Sequence, residues 1–257
     1  MPLTVALAFL YIICIFVFAM YPTDSPRLLL FPVPLSPVAP ADVLPAANLE
    51  MLCAVKHFVV ENLRSARRFL RSVSRDIVID DLDMRELSEH TPASEVESLL
   101  APMAEGHDLG VISEAGCPAV ADPGADLVAA AQRCGYRVVP LVGPSSIILS
   151  LMGSGFNGQC FTFRGYLPVE AGARAAAMKD MERQVRRNRC TQIFIETPYR
   201  NNRLVAELCR TLPGDMLLCV AADITGPTEN IVTAPLSRWA RATYDYAKRP
   251  AIFLLYS

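Results

Sequence analysis

Few residues that ligate metals or stack on bases occur in this chain. Its 257 residues include one tryptophan (Trp239) and three histidines (His57, His90, His107), and its eight cysteines form no Cys-x-x-Cys pair. Without ligand-spaced Cys and His groups there is no structural zinc signature, and the thiols read as reduced and cytosolic. The metal set is therefore empty. Charged residues are also sparse, at 19% against 52% hydrophobic, which excludes a disordered chain. The net charge of −2 supplies no global positive field, so a nucleic-acid partner requires a local basic patch. Neither the Gly-x-x-x-x-Gly-Lys-Ser/Thr phosphate loop nor the Gly-x-Gly-x-x-Gly dinucleotide fingerprint occurs, which argues against ATP and NAD. There are no internal repeats, and the only biased tract is the proline-rich stretch Pro32 to Pro45, which cannot be regular helix. The length suits one large domain or two of about 110 to 130 residues, enough to bury a core without disulfides.

The one long uncharged apolar run is Leu3 to Met20, about the length that crosses a bilayer as a helix. Against a secretory signal, no Lys or Arg precedes it and Val17-Phe18-Ala19 is a poor cleavage site. As a membrane anchor it leaves the body in the cytoplasm, because Arg27, Lys56, Arg64, Arg67 and Arg68 all follow it. In the third reading the start is Met20 and the preceding residues extend the reading frame upstream. Both of the last two readings keep the globular part cytoplasmic.

From Arg27 onward, short apolar runs alternate with helix-like stretches. The pattern predicts strands at Leu28 to Val33, His57 to Val60, Ile77 to Ile79, Leu109 to Ser113, Arg137 to Leu141, Cys160 to Gly165, Thr191 to Glu196, Met216 to Ala222, Ile231 to Ala234 and Ala251 to Tyr256. It predicts helices at Ser65 to Val73, Ala125 to Cys134, Ala173 to Arg187, Arg200 to Leu212 and Leu236 to Lys248. This alternation indicates an α/β protein with mostly parallel sheets. Glycines, prolines and serines crowd between Val142 and Gly155 and mark a boundary. The expected organisation is an N-terminal extension (1–26) and two α/β domains, 27–142 and 143–257, with a cofactor cleft between them.

Two loops at strand ends stand out. One runs from Glu114 to Gly124 through Gly116, Cys117, Pro118, Val120, Ala121 and Asp122; the other runs from Pro140 through Gly143 to Ser145 and Ser146. Loops beyond the carboxyl ends of strands are where α/β proteins hold ligands, and these present main chain rather than charge. By spacing alone, each is equally well a strand-to-helix turn capped by Asp122 or by Ser145 or Ser146. The local basic patch exists. Residues 61 to 75 carry Arg64, Arg67, Arg68, Arg71 and Arg75 against Glu61, five positive charges against one negative, with the first four at helical spacing. A second basic stretch carries Lys179, Arg183, Arg186, Arg187 and Arg189 against Asp180 and Glu182. These are either phosphate-binding faces for RNA or solvated arginines paired with the acids between Asp80 and Glu97. Three acids stand at predicted strand ends, Glu61, Glu114 and Glu196, and Glu61 opens the basic helix. They become the candidate general bases, Glu61 first, if the chemistry requires a hydroxyl to lose its proton. Glu196 is equally an ion-pair partner for Arg200, and Glu114 a support for its own loop.

Taken in order, Ile112-Ser113-Glu114-Ala115-Gly116-Cys117-Pro118 with Asp122-Pro123-Gly124, Val139 to Ser146, Gly165-Tyr166-Leu167-Pro168 and Glu196-Thr197-Pro198-Tyr199-Arg200 resemble the signatures of the tetrapyrrole methylase superfamily. The nearest branch looks like the ribosomal RNA small-subunit methyltransferase I type, which 2′-O-methylates a cytidine, and that reaction implies such a proton loss from a ribose hydroxyl. The resemblance covers about Leu28 to Tyr256. It implies two α/β domains, a homodimer and S-adenosylmethionine held mostly by backbone. The implied cofactor residues are Pro34, Gly116, Cys117, Pro118, Val120, Ala121, Asp122, Ser145, Ser146, Ala221 and Pro250. The implied partner is ribosomal RNA or the small ribosomal subunit, bound by Arg64, Arg67, Arg68 and Arg71. Two positions depart from the branch: Ser36 replaces a glycine after the first strand, and Asn62 replaces an acid in a Glu-Asp-Thr-Arg segment. The competing readings are a methylase of a tetrapyrrole or other small molecule and a catalytically inactive cofactor-binding protein.

Overall fold

A computed structural model describes residues 25–257; the apolar run at 3–20 lies outside them. Among the described residues no helix is long and apolar enough to cross a membrane. The chain forms two compact units, one comprising residues up to Val33 with Ala39–Gly143 and the other Pro34–Val38 with Pro144–Ser257.

The first unit has five strands, β1 (Arg27–Phe31), β2 (His57–Val60), β3 (Asp83–Glu86), β4 (Leu109–Ile112) and β5 (Arg137–Pro140), in the order β3-β2-β4-β1-β5. Every ladder is parallel. Helices α1 (Ala46–Ala54), α2 (Leu63–Val73) and α3 (Gly124–Arg133) connect them. The central strands are apolar on both faces, as parallel strands covered on both sides must be. Leu29 and Phe31 face one cluster with Phe69 and Leu70 of α2, while Leu28 and Leu30 face another with Leu127, Ala130 and Ala131 of α3. Each of these leucines and phenylalanines, taken fully out of water, contributes about 1.5–3 kcal/mol. Gly110 in β4 is required by packing: a Cβ there would lie 2.6 Å from the Phe58 ring, which is paired with Phe31.

The second unit contains β6 (Phe161–Tyr166), β7 (Thr191–Ile195), β8 (Leu217–Ala222), β9 (Asn230–Pro235) and β10 (Ala251–Tyr256), in the order β6-β7-β10-β8-β9. Its helices are α4 (Ser146–Ser154), α5 (Ala171–Asn188) and α6 (Asn201–Thr211). Alternate residues of β8 and β10 point to opposite faces. Val220 and Phe253 pack with α5 and α6, and Ala221 and Leu254 with Leu151 of α4. Only β6 and β7 pair in parallel here; the β10–β7, β10–β8 and β8–β9 ladders are antiparallel. The link from β8 to β9 is too short for a crossover helix, so that pair must run antiparallel. Across both sheets five ladders of eight are parallel, and the class is α/β.

Three local expectations fail. Ile77 to Ile79 is not a strand: Ile79 begins a 3-10 turn and is buried against α2, and the edge strand forms at Asp83–Glu86 instead. An edge strand with half-exposed faces needs no apolar run, so its sequence, Asp-Met-Arg-Glu, gives no signal. The helix expected to Lys248 stops at Trp239, where Trp239, Tyr244 and Tyr246 pack together and the Tyr246 N–H donates to Asn202 Oδ1. Within the proline-rich tract, Pro40–Val43 makes one helical turn, with Pro40 at the first position where a missing N–H has no consequence.

Candidate active site and basic helix

In the first unit the carboxyl ends of β1, β2 and β4 lie side by side, and the loop after β4 is pinned to its neighbours. Gly116 and Val33 exchange two main-chain hydrogen bonds of 2.9 and 3.0 Å, and the Glu61 N–H donates to the Ile112 carbonyl at 3.1 Å. Gly116 has φ +72°, Ala119 +64° and Ala121 +58°. For alanine such backbone is uncommon and costs on the order of 1–3 kcal/mol, so it persists only where surrounding contacts impose it. Here Asp122 imposes it. Its Oδ1 accepts the N–H groups of Ala119 at 2.9 Å and Gly124 at 2.7 Å. Burial raises the Asp122 pKa and these two donors oppose the rise. Asp122 thus acts as the anchor of the loop, leaving Val120 half exposed at its crest. Pro118 is buried, and Cys117 is half-buried with its thiol pushed up by that burial.

Two of the three candidate bases meet beside this loop. The Glu114 N–H donates to Glu61 Oε2 at 3.0 Å, and Ser65 Oγ donates to Glu114 Oε1 at 3.3 Å. Burial raises the Glu61 pKa; the Glu114 N–H opposes it, and the negative charges of Asp122, Glu114 and Glu89 add to it. Glu61 and Asp122 line one small cavity with Ser113, Pro123 and Gly124. Glu196 lies in the other unit, after β7. Its Oε1 accepts the Thr197 N–H at 2.6 Å and the Arg200 guanidinium at 2.9 and 2.6 Å. That is the internal ion pair weighed from its spacing.

The remaining expected cofactor residues belong to the second unit. Ser145 Oγ caps α4 by accepting the Ile148 N–H at 3.4 Å, and Ser146 is the first helical residue. Pro34 is half-buried at the head of the short segment whose Ser36 Oγ donates to the Ile224 carbonyl at 2.9 Å. Ala221 is wholly buried between Ile252 and Ile231 in the sheet, so its methyl group reaches no surface. Pro250 is exposed, and its carbonyl accepts the Asp223 N–H at 2.9 Å. The sequence reading passed over the turn after β8, where Asp223 and Thr225 have φ +51° and +66°. Asp223 Oδ2 there accepts from Arg249 at 2.7 Å and Thr228 at 2.8 Å. Its only advance signal is Gly226-Pro227.

The two basic stretches separate. On α5, Lys179 pairs with Glu182, Arg183 with Asp180, and Arg186 with Glu182 and Asp215. That face is largely neutralised. On α2, Arg64, Arg67, Arg68 and Arg71 are exposed, line one shallow depression, and have no ion-pair partner among the described residues. Asp83, within the acidic stretch expected as their alternative partner, instead holds Arg85 and His57. The helix starts beside the carboxylates because Asn62 caps it, with Oδ1 accepting the Ser65 N–H at 3.0 Å. The residue that departs from the acidic pattern thus does a cap's work.

No family model matches the chain. Among curated proteins, it is 30% identical over 232 residues to ribosomal RNA small subunit methyltransferase I of Escherichia coli O157:H7, covering 89% of this chain and 77% of that one. To the protein of the same name from Vibrio cholerae it is 28% identical over 216 residues, 84% of this chain and 71% of that one. The solved methyltransferase CobJ superposes with a TM-score of 0.60 at 16% identity, covering 91% of this chain and 95% of that one. Uroporphyrin-III C-methyltransferase from Thermus thermophilus, complexed with S-adenosyl homocysteine, superposes at 0.54 with 18% identity, covering 90% and 97%. At such identities these structures speak to the fold alone. The relative from Escherichia coli, matched over most of both chains, places this one: it belongs to the ribosomal RNA small subunit methyltransferase I family, on the tetrapyrrole methylase fold, and is an S-adenosylmethionine-dependent methyltransferase.

Proposed function

We propose that the methyl acceptor is ribosomal RNA, at the ribose 2′-oxygen of a cytidine, and that the protein works in the cytoplasm as a homodimer. The observation that carries this reading is α2, a helix with four exposed arginines lacking acidic partners among the described residues, which opens at the Glu61 and Glu114 carboxylates. Guanidinium groups bind phosphates through paired donors, and a run of them along one helix suits a polyanionic strand. A tetrapyrrole acceptor calls instead for apolar walls.

The loop from Gly116 to Asp122 fits the cofactor: Ala119 and Ala121 keep left-handed main chain that Asp122 braces, and Val120 is half exposed between them. When bound, S-adenosylmethionine supplies a methyl group on a sulfonium, transferred by in-line displacement. Gly116, Cys117, Pro118, Val120 and Ala121 hold and orient. Glu61 takes the proton of the ribose hydroxyl. Its Oε2 is engaged by the Glu114 N–H while Oε1 has no partner among the described residues, and its raised pKa makes it a stronger base than an ordinary carboxylate. Glu114 positions Glu61 through that N–H. Mass-spectrometric mapping of ribosomal RNA from a deletion strain tests the assignment: one 2′-O-methylcytidine should vanish and return on complementation. An unchanged methylation map would overturn the RNA reading. Light scattering on the purified protein should give twice the chain mass; a monomer mass would remove the dimer.

A further inference from the structure

The amino ends of the first unit's strands form a second charged region, at the other end of the sheet from the carboxylates. Because the strands are parallel, their starts fall on one edge. β1 begins at Arg27, β2 at His57 and β5 at Arg137, and Arg27 and Arg137 are direct register partners. With Lys56, His107 and Asp108 these residues wall an open depression of about 720 Å³. Its charges do not balance. Arg27 is consumed by Asp108, which accepts from Nε at 3.1 Å and from a terminal nitrogen at 2.5 Å. His57 Nδ1 lies 3.2 Å from Asp83, which also holds Arg85. Lys56 and Arg137 are both exposed and have no acidic partner among the described residues. The His107 ring stacks on His57, with centroids 4.9 Å apart and planes 23° apart, so the edges of two imidazoles border the same space.

We propose that this depression is a phosphate-binding site, independent of the methyl-transfer reading and at the opposite edge of the sheet from Glu61. The Lys56 ammonium and the Arg137 guanidinium face the oxyanion, and the stacked imidazoles offer ring N–H donors at its wall. A hollow lined by hydrogen-bond donors and by two cations that no acid among the described residues compensates is most stable with an anion of matching size, and tetrahedral phosphate accepts from several donors at once. Free polyphosphate and the phosphodiester backbone of RNA share this chemistry.

The test follows the ring carbon-bound protons of the three histidines by NMR while the full-length protein is titrated with inorganic pyrophosphate. His90, which does not line the depression, is the internal control. His57 and His107 should shift saturably and His90 should not. The double variant Lys56→Gln, Arg137→Gln should weaken the pyrophosphate response at least tenfold without lowering the melting temperature, since both side chains are exposed. Exchanging the two cations, Lys56→Arg with Arg137→Lys, should restore most of the response. Three results would overturn the site: no saturable shift, an equal shift at His90, or a response undiminished in a folded double variant. A short RNA oligonucleotide added to the pyrophosphate complex identifies the source: displacement assigns the site to nucleic-acid backbone, and no displacement assigns it to a free polyphosphate or nucleotide.

Discussion

Glu61 sits where a carboxylate is held with difficulty as an anion. Burial raises its pKa first, the Glu114 N–H opposes this, and three neighbouring acids add to the rise. A carboxyl whose folded-state pKa lies above its unfolded value contributes stability below the ordinary glutamate range, and that contribution disappears as pH rises through the raised value. Glu61→Gln, neutral at every pH, should therefore melt higher than the parent at pH 8 and lose that advantage near pH 4. In the same variant methyl transfer should fall by about 10²–10⁴, the usual share of a general base. A loss below tenfold in a cofactor-binding variant would remove Glu61 from the proton-transfer role. Gly116 makes a second point at this scale. Its φ of +72° costs a β-branched side chain on the order of 1–3 kcal/mol, and its N–H and carbonyl are both bonded to Val33, so a valine there distorts the loop that is proposed to hold the cofactor. Calorimetry should show no S-adenosylmethionine binding for Gly116→Val. Gly116→Asn, which tolerates that backbone, should keep the fold and separate strain from occlusion.

At the scale of one element, α2 carries two unlike faces. Ala66, Phe69 and Leu70 are buried in the first unit, while Arg64, Arg67, Arg68 and Arg71 are solvent-exposed without acids among the described residues to neutralise them. A helix face of like charges repels itself by a few tenths of a kcal/mol per i,i+4 pair, and phosphate relieves that repulsion. Each phosphate contact on a single strand contributes about 0.7 to the slope of log affinity against log salt. Arg67→Gln with Arg71→Gln should then flatten the slope for an RNA acceptor by about 1.4 and leave S-adenosylmethionine affinity unchanged. An unchanged slope with a lowered melting temperature would make these arginines structural and move the acceptor toward a small molecule. The contrast with α5 supports the choice of helix, since three of its cations, Lys179, Arg183 and Arg186, are already paired with Asp180, Glu182 and Asp215.

At the scale of the molecule, the two sheets and four apolar clusters found among the described residues are built from residues 27 to 256. A chain beginning at Met20 should therefore express in soluble form, melt in one cooperative step within about 2 °C of the full chain, and bind S-adenosylmethionine equally well. Aggregation of the shorter chain, cured only by restoring residues 1 to 19, would make the apolar run part of the core. Within the second unit the buried Arg174–Glu207 pair, with Arg174 also donating to the carbonyls of Pro168 and Val169, ties the start of α5 to α6.

Local pattern was enough for the α/β class, nine of the ten strands and the loop with left-handed backbone after β4, because apolar runs and Gly-Pro punctuation act over a few residues; the left-handed turn after β8 escaped it. The ordered motifs were enough for the family, since their order survives where overall identity is low. Tertiary structure alone decided which charges are used up. Arg200 lies one turn from Glu196 and Arg183 lies near Asp180 in the chain, yet nothing in the spacing of Arg64 to Arg71 reveals that no acid among the described residues reaches them. It also decided that Asp122 turns inward, that Ala221 is sealed in its sheet and that β3 forms at Asp83–Glu86. The last arises because an edge strand is selected by pairing with β2 rather than by its own hydrophobicity. Ion pairs, burial and edge pairing join residues far apart in sequence, and only the packed chain brings them within reach of one another.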